Sequence, residues 1–326
     1  AALLAALSAP AAHAVTTCTA TQPTLNFGTV SVTGLTDVTG SFSVTCNTVG
    51  LSLLAQARVR MCLSIGDGLS GGGQYLPRRM LNATSDALAF QIYSDPARSQ
   101  VWGQRGNASV PNPVLADFDY AVPVLGGSQT LNFTLYGRVP AQGFTAGTYA
   151  NAFTGTHTAL EFRYAEQLLG TPPFPASCTS GGNAGTSGTF PFTAMATVPA
   201  DCRSYVTTDL NFGTVPGLIA ADVDNTSTIT MTCTGRTAWT VALDNGQNAA
   251  GSVRRMRLGA TADYVHYELY QTAARTQRWG NTPGTDALAG TGTGSAQTLT
   301  VYGRVPAPQA VPAGSYADTI TVTVTY

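Results

Sequence analysis

Leu25-Asn26-Phe27-Gly28-Thr29-Val30 recurs unchanged at Leu210–Val215, 185 positions further along a chain of 326 residues. The repeat extends outward from these six residues. TCNTVG around Cys46 is echoed by TCTGRT around Cys233, and Arg78-Arg79-Met80 by Arg254-Arg255-Met256. Trp102-Gly103 returns as Trp279-Gly280, and Tyr136-Gly137-Arg138-Val139-Pro140-Ala141 returns as Tyr302 to Ala307. GTYANAF from Gly147 matches GSYADTI from Gly314. Six landmarks kept in one order describe a duplicated domain.

The duplicated unit is all-β. Ser41–Cys46 and Ser227–Cys233 alternate with period two, as do Thr130–Tyr136 and Thr298–Tyr302. At the close of the chain Ile320, Val322, Val324 and Tyr326 share one face, and Thr319, Thr321, Thr323 and Thr325 the other. One apolar face and one hydroxyl face suit a sandwich strand. No stretch sustains a capped amphipathic helix; Leu51–Val59 comes nearest and stays ambiguous.

Composition narrows the function classes. Charged residues are 10% of the chain, against roughly 25% in an average soluble domain. Only 16 Lys plus Arg are present and the net charge is -1, so there is no positive field for nucleic acid. Residues 1–14, AALLAALSAPAAHA, resemble the end of a secretory signal peptide cleaved before Val15. Beyond Ala14 no run of about 18 apolar residues occurs. Export would place the six cysteines in an oxidising compartment, where disulfides are expected.

The first copy runs from about Val15 to Tyr164 and the second from about Cys202 to Tyr326. Ala165–Ala200 between them is rich in Pro, Gly and Ser, the composition of a linker. Yet Phe190, Phe192, Ala194, Ala196 and Val198 fall on one face of an extended segment, for which a free linker has no use. A strand is expected there.

The Cys…LNFG…Cys opening, the Arg-x-Met element, the Trp-Gly pair, the Tyr-Gly-Arg-Val-Pro segment and the terminal GSYADTITVTV together resemble the spore coat protein U domain. In most bacteria that family forms subunits of archaic chaperone–usher pili, and a two-domain member resembles the tip adhesin. The resemblance implies immunoglobulin-like sandwiches that lack their last strand. A periplasmic chaperone lends that strand first, at an outer-membrane usher the N-terminal extension of an adjacent subunit replaces it, and the protein ends extracellularly on the pilus. Carried onto this chain, it implies a tip domain at 15–188, a donor-like strand and linker at 189–201, and a pilin domain at 202–326.

The second copy stops at Tyr326, directly after its last strand, so it is expected to accept a strand along Ile320, Val322, Val324 and Tyr326. The strand at 189–198 is expected to complete the first copy in cis. Only Val15, Thr16 and Thr17 precede Cys18 after cleavage, too few for a donor of about five to ten residues at roughly 3.3 Å each. Such a subunit belongs at the tip, facing an abiotic or host surface. A spore-coat or cell-surface protein of the same fold that never enters a pilus is the alternative, and an extracellular carbohydrate-binding or enzymatic sandwich a third.

Six cysteines allow 15 connectivities, and the repeat narrows them. Cys18 and Cys46 flank one LNFG as Cys202 and Cys233 flank the other, so those pairs are expected. Cys62 and Cys178 remain and would tether the insert to the first copy. No catalytic, cofactor or metal site is expected: His13 falls in the leader, and His157 and His266 lie on expected strands in different copies. The loop Gly66–Gly73 lacks the Lys-Ser/Thr of a phosphate cradle. Arg79 and Arg255 are read as structural, with the stem over the sandwich and the head on a turn. Adhesive surface is expected where the copies differ, above all in Gly103–Phe118 with Val110, Val114, Leu115 and Phe118; Leu69–Leu76 and Gln142–Phe144 are further candidates.

Overall fold

A computed structural model describes residues 15–49, 55–167, 170–215 and 218–326. The expected leader at 1–14 lies outside the described residues. The chain divides into two compact units, the first reaching Gln142 and resuming at Thr148–Thr197, the second comprising Gly143–Gly147 and Val198–Tyr326.

The first unit contains β1 (Val15–Ala20), β2 (Leu25–Thr29), β3 (Thr36–Val49), β4 (Ala55–Ile65), β5 (Arg78–Leu81) and β6 (Ala87–Tyr93). It continues with β7 (Val114–Val122), β8 (Gly127–Val139), β9 (Gly147–Phe153), β10 (Thr158–Gln167), β11 (Asn183–Ala184) and β12 (Phe192–Val198). A sheet ordered β1-β3-β8-β6-β5-β9-β12-β2 faces a second ordered β11-β10-β4-β7. The long sheet curls, bringing β2 back across β3 and β8, and Gly137 permits that approach. A Cβ there would lie 2.8 Å from Phe27 Cζ and 2.9 Å from Leu25 Cδ1.

The second unit holds β13 (Cys202–Thr207), β14 (Leu218–Ile219), β15 (Val223–Cys233), β16 (Ala238–Leu243), β17 (Arg254–Leu258) and β18 (Tyr264–Tyr270). Then follow β19 (Leu288–Thr291), β20 (Ala296–Val305), β21 (Gln309–Ala310), β22 (Tyr316–Ala317) and β23 (Val322–Thr325). Its main sheet, β13-β15-β20-β18-β17-β22, repeats the order of the first unit up to the counterpart of β9 and stops there. The facing sheet is β19-β16-β23, with β14-β21 a separate pair. Each unit is an immunoglobulin-like sandwich built from strands that alternate buried and exposed side chains.

Cys18–Cys46 joins residues directly opposite each other on β1 and β3, and Cys202–Cys233 does the same on β13 and β15. Cys62–Cys178 fastens β4 to the segment before β11. One open reading is resolved and two expectations need correction. From Ala55 the ambiguous stretch is strand, with Ala55, Ala57 and Val59 buried, while residues 51–54 lie outside the described residues. His157 sits in a short 3-10 turn, Gly155–His157, where Nδ1 lies 3.1 Å from the Asp67 carboxylate and from the Gly68 N–H. The last strand is only Val322–Thr325.

Candidate strand-accepting groove

In the first unit β12 closes the sandwich. It lies between β9 and β2 and runs parallel to β2, with Ala194 opposite Leu25 and Thr197 opposite Thr29. The Val30 N–H donates to the Thr197 carbonyl at 2.9 Å. Phe192, Ala194, Ala196 and Val198 point inward and are buried, while Thr193, Met195 and Thr197 face out. Phe190, just before the strand, stacks on Phe42 with centroids 5.0 Å apart, and Phe192 stacks on Phe153 at 4.6 Å. Beneath this cover Leu25, Phe27 and Val30 are buried, as are Tyr149, Asn151 and Phe153 on β9.

The second unit has corresponding walls, and among the described residues no strand covers them. Leu210 and Phe212 crowd Gly303 just as Leu25 and Phe27 crowd Gly137. On the other side β22 pairs with β17, setting Ala317 opposite Arg257 as Ala150 is set opposite Leu81. Between these walls runs a groove of about 1150 Å³, with Leu210, Phe212, Met256, Tyr267, Tyr316 and Ile320 among its lining. Residues 210–215 form no strand. Val215 is 39% exposed, whereas its twin Val30 is 2% exposed. Tyr316, Asp318 and Ile320 are only half-buried. The two copies differ here by one strand.

Of the four residues named for the acceptor strand, Ile320 and Val322 line the groove and Val324 and Tyr326 do not. β23 pairs with β16 in the facing sheet, Val324 opposite Val241, so the chain turns away from the groove after Val322. Val324 packs on the core of the second unit and Tyr326 is exposed. Polar side chains also line the groove, and Asp318 is hydrogen-bonded within it. Asp318 Oδ2 accepts from the Tyr267 hydroxyl at 2.8 Å, and Oδ1 accepts from the Asn248 N–H at 3.1 Å. Burial, reinforced by that carboxylate, pushes the Tyr267 phenol up. The covered copy has Asn151 in this place, its amide donating to the carbonyls of Asp67 and Arg79.

The family model described as the Spore Coat Protein U domain matches residues 3–156 and again 188–323. This chain belongs to the Spore Coat Protein U domain family. Protein U of Myxococcus xanthus is 39% identical over 128 residues, covering 36% of this chain and 71% of that protein. Among solved structures, the CsuC–CsuE chaperone–tip adhesion subunit pre-assembly complex from archaic chaperone-usher Csu pili of Acinetobacter baumannii aligns over 95% of this chain and 100% of that one, at 19% identity and a TM-score of 0.45. The CupB6 tip adhesin from Pseudomonas aeruginosa aligns over 95% of each chain, at 13% identity and a TM-score of 0.34. Membership in the Spore Coat Protein U domain family places the chain among structural proteins rather than enzymes.

Both Spore Coat Protein U domains carry a fully buried arginine that the sequence reading passed over in favour of its neighbour. Arg78 donates to the carbonyls of Gly66, Ile65 and Trp102 and to Gln91 Oε1. Arg254 donates to the carbonyls of Asp244, Leu243 and Trp279 and pairs with Glu268. Burial pushes the Arg78 guanidinium down to about 10. Arg79 and Arg255 instead reach the carbonyls of Ser70 and Asn248 in the adjoining loops. The two tryptophans are anchors, Trp102 Nε1 donating to Leu63 and Trp279 Nε1 to Val241.

The expected adhesive segment 103–118 is mostly exposed or half-buried, but two of the four apolar side chains named for it, Val110 and Phe118, are buried. Val114, Leu115 and Phe118 lie on β7, where Phe118 points inward opposite Val59 and is buried. Residues 103–112 fold back on themselves, Gln104 N–H donating to the Val110 carbonyl and Gly103 N–H to that of Asn112, which buries Val110. Of the four residues Leu115 alone is largely exposed, at 69%. Leu69 and Leu76 are exposed too.

An apolar cluster that the sequence reading missed lies at one end of the first domain. Val15 and Val49 are paired across β1 and β3, and the turn Pro123–Gly126 sits beside Val49. Val15, Val49, Val124 and Leu125 are all exposed, Leu125 at 95%. This is the opposite end of β3 from Thr36, which bonds Ser31 near the point where β12 leaves the sheet. Among the described residues no cluster of three His, Cys, Asp or Glu side chains could hold a metal ion.

Proposed function

We propose that this chain is the structural and adhesive tip subunit of an archaic chaperone–usher pilus, assembled by donor-strand complementation. The observation that carries the reading is the pair of identical hexapeptides, one covered by β12 and the other bordering an open groove. An uncovered apolar groove with unpaired strand edges favours association, since each large apolar side chain buried is worth about 1.5–3 kcal/mol. A periplasmic chaperone covers it first, and at the outer-membrane usher the extension of an adjacent subunit replaces that strand. The first domain has its slot filled by its own chain, and β1 is locked into the sheet by Cys18–Cys46. The subunit therefore offers one acceptor site and leaves its first domain free to meet a surface.

On this reading the adhesive area is the end bearing Val49, Val124 and Leu125, rather than Val110 and Phe118. Apolar side chains on a turn bind by area burial with little chemical selectivity, which suits attachment to abiotic or host surfaces at the cell exterior. Co-expression with a chaperone encoded beside this chain tests the assignment. A stable 1:1 complex is expected. A chain that is secreted as a soluble monomer and ignores the chaperone would overturn it, and a spore-coat role would then be favoured.

A further inference from the structure

The duplication says more than that a strand is missing, because the covered domain records which strand fits. This inference rests on the strand-accepting reading and concerns the chemistry of the partner segment. We propose that the groove of the second domain selects a strand running parallel to residues 210–215, with two bulky apolar side chains first, two small ones next, and a branched aliphatic one last.

Direction follows from the walls. Leu210 and Phe212 hold the same place over Gly303 that Leu25 and Phe27 hold over Gly137, and β22 keeps the register of β9. A strand added between these corresponding walls inherits the register of β12, which is parallel to the hexapeptide. Outward-facing alternate positions stay unconstrained, as Thr193 and Met195 are in the first domain.

The order of sizes follows from what lies beneath. Ala194 sits opposite Leu25, whose side chain with that of Phe27 already fills the space over Gly137. Leu210 and Phe212 fill the corresponding space, so the middle positions must again be small. At the leading end Phe190 and Phe192 stack on Phe42 and Phe153. By the repeat those two partners correspond to Ile229 and Ile320, both lining the groove, and both smaller than phenylalanine. The leading positions therefore have at least the room found in the first domain and take bulky groups. Core sites penalise overfilling as well as cavities, so the order is selective.

The test uses the full chain and synthetic peptides with solubilising lysines at each end. The first peptide is residues 189–198, TFPFTAMATV. The second carries the same ten residues in reverse order, and the third replaces the two alanines that correspond to Ala194 and Ala196 with leucine. A fourth replaces Met195 with lysine. Fluorescence anisotropy should show the first and fourth peptides binding alike, and the second and third at least tenfold more weakly. Equal binding of the first three would overturn the order while leaving a groove that accepts strands. Preferential binding of the reversed peptide would overturn the direction. No binding by any peptide would remove the strand-accepting reading together with this inference.

Discussion

Ala194 lies directly opposite Leu25 in a parallel pair, and this contact leaves both residues almost without exposure, at 0% and 1%. Leu210, the same residue of the same hexapeptide, has no such strand partner among the described residues. A sequence identical over six positions is thus strand in one domain and uncovered chain in the other, because strand structure is completed by what pairs with it.

The cover over the first domain should carry much of its stability. Phe192→Ala removes a buried ring stacked on Phe153 and is expected to cost about 3–5 kcal/mol. Thermal unfolding followed by near-ultraviolet circular dichroism should show the first domain melting earlier and the second unchanged.

Cys62–Cys178 closes a span of 116 residues and fixes the segment leading into β12. Replacing both cysteines with serine should cost the first domain about 2–5 kcal/mol. Limited proteolysis would then cut between Pro172 and Gly188 much faster than in the parent chain.

Arg78→Ala strips one buried cation from three carbonyls and an amide oxygen at once. Leaving such acceptors buried is expected to cost about 3–5 kcal/mol, and denaturant unfolding should report it. Arg79→Ala removes a guanidinium whose Nε donates to the Ser70 carbonyl in a loop, and should cost under about 1.5 kcal/mol.

Acid should loosen both domains through matched ion pairs. The hydrogen bond from Arg138 holds Asp37 below the usual carboxylate range, and that from Arg304 does the same for Asp224. A depressed folded-state value means that the stabilisation is complete above the ordinary carboxylate value of about 4 and is lost as pH falls through the folded one. Asp37→Asn should therefore flatten the fall of melting temperature with acid in the first domain alone. An unchanged slope would show that this pair does not set the acid response.

Replacing Val124 and Leu125 with serine should weaken attachment to polystyrene while leaving export and chaperone binding intact. The matching change at Val110 and Phe118 should lower stability instead, since both are buried.

Much of this molecule was legible in its residues. Period-two alternation marked the strands, and paired landmarks around LNFGTV marked the duplication. The five inward residues at 190–198 could be read because alternation survives within a Pro- and Gly-rich segment. What could not be read depends on long-range register. Arg78 and Arg79 are adjacent and alike, and only the placement of β5 between β6 and β9 decides which faces the core. The longer excursion at 103–118 is largely at the surface, as its length suggests, but backbone hydrogen bonds close it on itself and turn Val110 inward, while Phe118 is buried on β7. The end formed by Val15, Val49, Val124 and Leu125 joins residues more than 100 positions apart, which no local pattern reveals.

Amide hydrogen exchange on the purified full-length chain, with and without its strand-donating partner, addresses the central claim most directly. Residues 25–30 should be protected in both samples, while residues 210–215 and 316–320 exchange rapidly alone and become protected only in the complex. Equal protection of 25–30 and 210–215 in the isolated chain would contradict the account, since the second domain would then need nothing from outside.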